Sequence, residues 1–438
     1  MPIRSHRTRT VLTPILLAIL LAASAVGCGD DDGAASADEV RSTVARATPG
    51  AGRADEGAAV TRRVATTLFP VLADAAGDGN LAYSPLSITM ALGMARAGAT
   101  GPSADQLDAL LGTSADHPTA EALNALDQLL TTRAGTRKND DGEDAELTLS
   151  SANSLWGQRE ATWKAPFLDT LKRSYGVGIH TVDYVGDAEG ARRSVNGWVA
   201  DQTHDHIPDL IAEGTFDDMT RLTLVNALYL AAPWNKEFDP APALKFTTAT
   251  GSSVNAPAMH QPARPCSYHQ APGLEAVTVP YAGGELAMTF VVPVEGQLDQ
   301  VEATLDAALL KRLVTPTEPT LVELTVPKFD LDSRPDLTAA LKAVGVTAPF
   351  TTETDFTPMS TDPTVQPLRL AEVVHQATVT IDEKGTVAAA ATAAVFETVG
   401  AAIGTTTLVL DRPFLFVIHD IATGTPLFVG RVADPTRP

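Results

Sequence analysis

The 438-residue chain has only two cysteines, Cys28 and Cys266. That excludes a fold stapled by several disulfides, and Cys266 has no intramolecular partner once Cys28 is otherwise used. Basic residues are scarce: 32 Lys and Arg stand against 53 Asp and Glu, a net charge of −21 at pH 7. Such a balance excludes nonspecific nucleic-acid binding and a polyanion surface, and it suits a soluble protein. Catalytic signatures are missing too. There is no Gly-x-Ser-x-Gly elbow, no His-Glu-x-x-His and no glycine-rich phosphate loop before a helix. His204 and His206 form the one close histidine pair. On a helix they face different ways, which fits polar residues near a helix end better than a metal pair.

One stretch lacks both charge and proline. The chain holds 30 prolines, yet residues 385–410 contain none, and their only charge is Glu397. The segment opens Gly385-Thr-Val-Ala-Ala-Ala-Ala-Thr-Ala-Ala-Val-Phe and is small and partly β-branched. Every residue keeps its backbone N–H, so the stretch can join a sheet anywhere. Left exposed, it is an aggregation hazard. It needs permanent burial or a use for strand addition. A helix over Ala388–Ala394 is the competing reading, since Ala is the best helix former. Val387, Thr392, Val395, Thr398 and Val399 work against it, and Gly385 and Gly400 bracket it, so the inserting strand is preferred.

The N-terminus has the layout of an export signal. Arg4, His6, Arg7 and Arg9 precede an apolar run from Val11 to Ala23 that is too short for a membrane span. Ala25-Val-Gly27-Cys28, followed by Gly29-Asp-Asp-Asp, resembles a bacterial lipoprotein signal. That resemblance implies removal of residues 1–27 and acylation of Cys28. Ordinary cleavage after Ala25 is the alternative. The expected location is the cell envelope, lipid-anchored, or the medium as a secreted protein. Residues 28–57 are rich in Gly, Ala and Asp without apolar periodicity and read as a flexible spacer.

A single large domain is expected over 58–438. Val60, Val64, Leu68 and Leu72 mark a helix face that Pro70 should kink or shorten. Leu81–Ser87 opens a second helix, running through Met94. Residues 103–133 read as two helices, 163–175 and 188–203 as one each, and Leu337–Val344 as a short one. Strands are expected at Leu147–Trp156, Arg221–Leu230, Val277–Val279, Leu286–Val292, Leu321–Phe329, Val374–Ile381, Thr405–Leu410, Phe414–His419 and Leu427–Val432. The apolarity of Arg221–Leu230 on both faces marks a doubly covered central strand. Gly283-Gly284 signals a hairpin. Helices early and strands late make an α+β domain.

Several segments together resemble the serpins, serine-protease inhibitors that work by loop insertion. They are Tyr83-Ser84-Pro85-Leu-Ser87, Leu224-Val-Asn226-Ala-Leu-Tyr-Leu, Pro233-Trp234, Pro280-Tyr-Ala-Gly-Gly-Glu-Leu286, Val374-His375 through Glu383-Lys-Gly385, and Arg412-Pro-Phe-Leu-Phe through Phe428-Val-Gly430. They stand in the family's order and span roughly 57–435. The resemblance implies a serpin fold: a central mixed sheet A, two smaller sheets, about eight or nine helices and an exposed reactive-centre loop. It also implies a monomer that needs no cofactor and has no enzymatic activity.

The resemblance assigns the low-charge stretch to the reactive-centre loop. The hinge comprises Glu383, Gly385, Thr386, Ala388, Ala390 and Thr392, with Ala394 also inward-facing. Counting Glu383 as seventeenth before the scissile bond gives Val399–Gly400, and cleavage after Phe396 or Ala402 stays open. Val399 implies an elastase- or chymotrypsin-like target. Ser84, Ser87, Asn226 and His375 correspond to the polar cluster beneath the sheet, where strands part, called the shutter. Trp234 and Lys328 correspond to the breach at the sheet's top, with Lys328 pairing Glu383. The rivals are a non-inhibitory serpin, acting as a binding or structural protein, and a secreted hydrolase.

Overall fold

The computed structural model describes residues 38–113, 119–351, 355–386 and 404–438. Strand β1 (Asp38–Val40) comes first, then helix α1 (Arg53–Ala76). The expected stripe of α1 is inward: Val64, Leu68 and Leu72 are buried, with Ala58, Ala65 and Phe69 beside them. Pro70 does not shorten the helix. It sits on the exposed face, and the helix runs on past it to Ala76 despite the missing N–H. Strand β2 (Leu81–Tyr83) leads into α2 (Pro85–Ala97). Ser84 caps α2 by accepting the Ser87 N–H at 3.2 Å, and Pro85 takes the first turn, where an N–H is dispensable.

Helices α3 (Gly101–Leu111) and α4 (Thr119–Thr131) follow, then strands β3 (Gly135–Lys138) and β4 (Asp144–Gln158). Helix α5 (Ala165–Tyr175) crosses to β5 (Ile179–Val182), and α6 (Ala188–Gln202) precedes β6 (Leu222–Pro233). Next come β7 (Asp239–Thr247), β8 (Ser253–Ala271), β9 (Leu274–Pro280) and β10 (Leu286–Pro293). Gly283 and Gly284 both take positive φ, which is why the β9–β10 hairpin turns on that pair. Helices α7 (Leu298–Thr304) and α8 (Ala307–Val314) separate β10 from β11 (Pro319–Pro327) and β12 (Phe329–Ser333). The rest comprises α9 (Leu337–Ala343), β13 (Val373–Ile381), β14 (Gly385–Thr386), β15 (Thr406–Val409), β16 (Phe414–Asp420) and β17 (Thr425–Val432).

The strands form an eight-stranded mixed sheet, β1-β5-β4-β6-β14-β13-β12 with β3 on β4, and a nine-stranded sheet, β15-β11-β8-β9-β10-β16-β17-β2 with β7 on β8. The first is sheet A. The two smaller sheets expected are joined here, because the 19-residue β8 pairs with β7 and β11 along most of its length and with β9 at its end. Strand β6 is covered on both sides, as its apolarity required. Leu224, Leu228 and Leu230 face the main core with α1, α2 and the second sheet. Val225 and Ala227 face a smaller core of Trp156, Tyr184, Val195 and Val199 beneath α6.

Three expectations need correction. Residues 38–57 are not a free spacer: they contain β1, paired to β5, and the first turn of α1. Their docking is polar, so apolar periodicity could not reveal it. The run Leu321–Phe329 is not one strand. Chain direction changes at Lys328, whose N–H bonds the Pro257 carbonyl at 2.8 Å, so β11 and β12 belong to different sheets. Leu81–Tyr83 is a strand preceding the helix rather than its first turn. Strands β7 and β8 had no sequence signal, since Pro240, Pro242, Pro257, Pro262 and Pro265 interrupt any alternation there.

Gly430 faces β2 across the ladder, opposite Ala82, and any Cβ on it would collide with the Leu81 carbonyl and the Phe416 ring. Gly430→Val should therefore displace β2 and cost about 2–3 kcal/mol through overpacking. A urea unfolding midpoint unchanged from wild type would contradict this.

Candidate functional site

Strands β6 and β13 run parallel and are paired only at one end, from Val373↔Leu224 to Gln376↔Ala227. At the other end β14 stands between them, antiparallel to both: Gly385 opposes Pro233, and Thr386 opposes Ala232 and Ile381. The turn Asp382–Lys384 thus folds the chain back into its own sheet. Only glycine fits at 385, because a Cβ there would meet the Ala232 carbonyl and the Pro233 backbone. Thr386 is buried and shares a 2.6 Å hydrogen bond with the Tyr281 hydroxyl.

Trp234 holds this turn. Its indole N–H donates to the Asp382 carbonyl at 2.9 Å, and its backbone N–H donates to the Lys384 carbonyl at 2.8 Å. The ring stacks on Tyr281 at 4.6 Å, with the two planes almost parallel. Lys328 Nζ lies 3.0 Å from Glu383 Oε1, with both side chains partly in solvent. Such a pair contributes under about 1 kcal/mol. The breach residues and the described part of the hinge therefore meet at one end of the slot.

At the other end the register lines up three polar side chains across three strands: Asn153 opposes Asn226, and Asn226 opposes His375. The start of α2 sets Ser84 and Ser87 against the row. The Ser84 N–H donates to His375 Nε2 at 3.0 Å, so the imidazole proton is on Nδ1, which donates to Asn226 Oδ1 at 2.5 Å. Ser87 Oγ donates to Asn153 Oδ1 at 2.8 Å and approaches Asn226 Oδ1 at 3.3 Å. Full burial disfavours the imidazolium and pushes the His375 pKa down to about 4. The Asn226 Nδ2 group is buried without a partner among the described residues, a cost of about 1–3 kcal/mol to the closed arrangement.

All four residues expected in the shutter thus come together, with Asn153 as a fifth member that sequence reading missed. Its one signal was an amide inside an otherwise strand-like run. Tyr281, whose place in the Pro280–Leu286 segment gives no hint of a role, is the partner of both Trp234 and Thr386. Ala388, Ala390, Thr392, Ala394, the bond Val399–Gly400 with its alternatives after Phe396 and Ala402, and Cys28 lie outside the described residues. Cys266 is a buried free thiol whose pKa burial pushes up. His204 and His206 follow α6 with their rings on Tyr229, at 5.2 and 4.7 Å.

A pH dependence follows. His419, fully buried with Nε2 2.9 Å from Thr289 Oγ1, is also lowered to about 4 by burial. An unfolded histidine titrates near 6.5, so between these values the unfolded chain binds more protons. Stability is therefore complete above about pH 6.5 and is lost as pH falls towards 4, by up to about 3 kcal/mol per histidine. Urea midpoints compared at pH 7.5 and 4.5 should show a smaller acid loss in His375→Gln than in wild type. An equal loss would mean that His375 is not protonated on unfolding.

Comparison with known proteins agrees with this geometry. Residues 59–435 match the family described as Serpin (serine protease inhibitor). The chain is 31% identical to the leukocyte elastase inhibitor of Bos taurus over 86% of its own length and 99% of that protein. It is 30% identical to an uncharacterised serpin-like protein of Thermococcus kodakarensis, over 86% of each. Among solved structures it resembles human thyroxine-binding globulin complexed with thyroxine, with TM-score 0.75, 26% identity, and coverage of 88% of this chain and 100% of that one. Uncleaved ovalbumin has the same fold, with TM-score 0.73, 23% identity, and coverage of 86% and 99%. With its matched segment, its sheet topology and a hinge folded into its own sheet, the chain belongs to the serpin family.

Proposed function

We propose that the protein is an inhibitor of elastase- or chymotrypsin-like serine proteases, is not itself an enzyme, and acts once by inserting its cut loop into sheet A. The observation that carries this reading is the place of Gly385–Thr386 between β6 and β13. Strand addition to a sheet is a known recognition mode, of which serpin loop insertion is itself a standard instance. In the proposed sequence the protease serine attacks the Val399 carbonyl, the Gly400 amine leaves, and an ester joins Val399 to the enzyme. The freed segment then extends the strand begun at Thr386. At ~3.3 Å per residue, about fourteen residues carry the ester some 45 Å along the sheet. An inserted strand needs every N–H and tolerates no buried charge, which matches the lack of proline and the small residues Ala388, Ala390, Thr392 and Ala394.

The shutter row and the breach have distinct proposed roles. Hydrogen bonds among Ser84, Ser87, Asn226 and His375 can break and re-form as β6 and β13 part. The Lys328–Glu383 pair times release of the hinge. A leukocyte elastase inhibitor among the relatives and Val399 at the bait position support an apolar specificity. As part of the same proposal, the protein is exported as a monomer and anchored through acylated Cys28.

Incubation with an elastase-type protease should give an SDS-resistant complex, and nicking near Val399 should raise the melting temperature. Clean cleavage with neither effect would favour a non-inhibitory serpin. Thr386→Arg places a charge where Thr386 is buried, at a cost of several kcal/mol. It should lower complex yield more than tenfold while cleavage continues; undiminished complex would count against insertion at this slot. Cys28→Ala should shift the protein from the detergent phase to the aqueous phase in Triton X-114 partitioning.

A further inference from the structure

Residues ahead of the serpin-matched segment are docked on the body by a chain of polar contacts. β1 extends sheet A beyond β5, pairing Asp38–Val40 with Ile179–Thr181, and Glu39 Oε1 accepts the Gly178 N–H at 2.7 Å. Ser42 Oγ donates to Asp169 of α5 at 2.5 Å, and the Ala47 N–H donates to the Arg173 carbonyl of α5 at 2.9 Å. Arg46 reaches α4, with Nε 2.9 Å from Asn124 Oδ1 and one terminal nitrogen 2.5 Å from Asp127 Oδ2. Asn124 and Gln128 each donate to the Ala47 carbonyl at 3.0 Å.

The two ends of this strap hold different bodies. β1 belongs to the strands on the β6 side of the slot, β5-β4-β6. α4 packs chiefly on α1, which in turn lies against α2, α8 and β17 in the rear of the molecule. A strand entering between β6 and β13 widens the sheet by one spacing, ~4.8 Å. The β6 side must then shift against the rear body. The strap has little slack to absorb that shift, since its middle is fixed to α5 at Ser42 and its far end at Ala47.

We propose that residues 38–47 form a strap that restrains sheet A from opening, so that it slows loop insertion before cleavage. This rests on the insertion reading above. Arg46 is the main clamp, because its guanidinium bonds both Asn124 and Asp127 on α4.

The test uses the full-length protein. Uncleaved wild type, Arg46→Ala, Arg46→Lys and Ser42→Ala are held at a fixed temperature below melting, and the rate of conversion to a heat-resistant, inactive form is followed. Uptake of a synthetic peptide copying residues 386–397 is measured in parallel. Arg46→Ala should convert and take up peptide about five- to tenfold faster, Ser42→Ala about twofold faster, and Arg46→Lys should lie between Arg46→Ala and wild type. Wild-type rates in both Arg46→Ala and Ser42→Ala would overturn the strap, as would faster global unfolding in urea with unchanged peptide uptake. A separate control keeps the two readings apart: if nicked wild type gains no heat resistance, the insertion reading fails; if it gains resistance while the variants keep wild-type rates, only the strap fails.

Discussion

The constraint on which this molecule depends is backbone pairing between β6 and β13. Both are inner strands of sheet A, yet direct pairing joins them only from Val373 to Gln376. At the far end a two-residue fragment of the chain's own hinge, Gly385–Thr386, pairs with both strands. Buried N–H and C=O groups must be paired, so a sheet divided in this way favours whatever strand can fill it. The stretch after Thr386 has the composition of such a strand, with no proline, one charge and small side chains.

Polar side chains occupy the place where the two strands meet. An apolar contact in that row would be indifferent to register, whereas the observed alignment lets His375 bond Asn226 directly and lets Ser87 Oγ reach both Asn153 and Asn226. The network also includes α2 through Ser84 and Ser87, so the sheet and the helix behind it are linked. Its histidine is held neutral by burial, and the Asn226 amide is left without a partner among the described residues. The unpartnered amide nitrogen lowers the stability of the closed sheet at every pH, and the buried histidine lowers it only below about pH 6.5.

Three groups of contacts stand around the sheet that holds the slot. Trp234 and Tyr281 grip the turn at the top, the serine and asparagine row sits at the lower end, and residues 38–47 join the outer edge to α4. The buried Trp234–Tyr281 stack is the one apolar contact in this set, and the rest are polar. The cores supply bulk stability, and the movable parts are held by hydrogen bonds that can be exchanged one at a time.

Composition and local pattern by themselves determined much here. The face of α1, the central and doubly buried β6, the β9–β10 hairpin and the final strands were legible because each is a matter of periodicity or a glycine turn. The low-charge stretch was legible for a different reason, since it is defined by what a buried strand cannot contain. Tertiary structure alone decided the rest. It split Leu321–Phe329 between two sheets at Lys328, made a 19-residue β8 out of proline-rich sequence, and turned residues 38–57 from an apparent spacer into a docked edge strand and the start of α1. It also set Asn153 beside Asn226 and Tyr281 beside Thr386. Those outcomes depend on register and on polar partners far away along the chain, and a local pattern carries neither. A polar residue looks the same in sequence whether it faces water or a partner a hundred residues away.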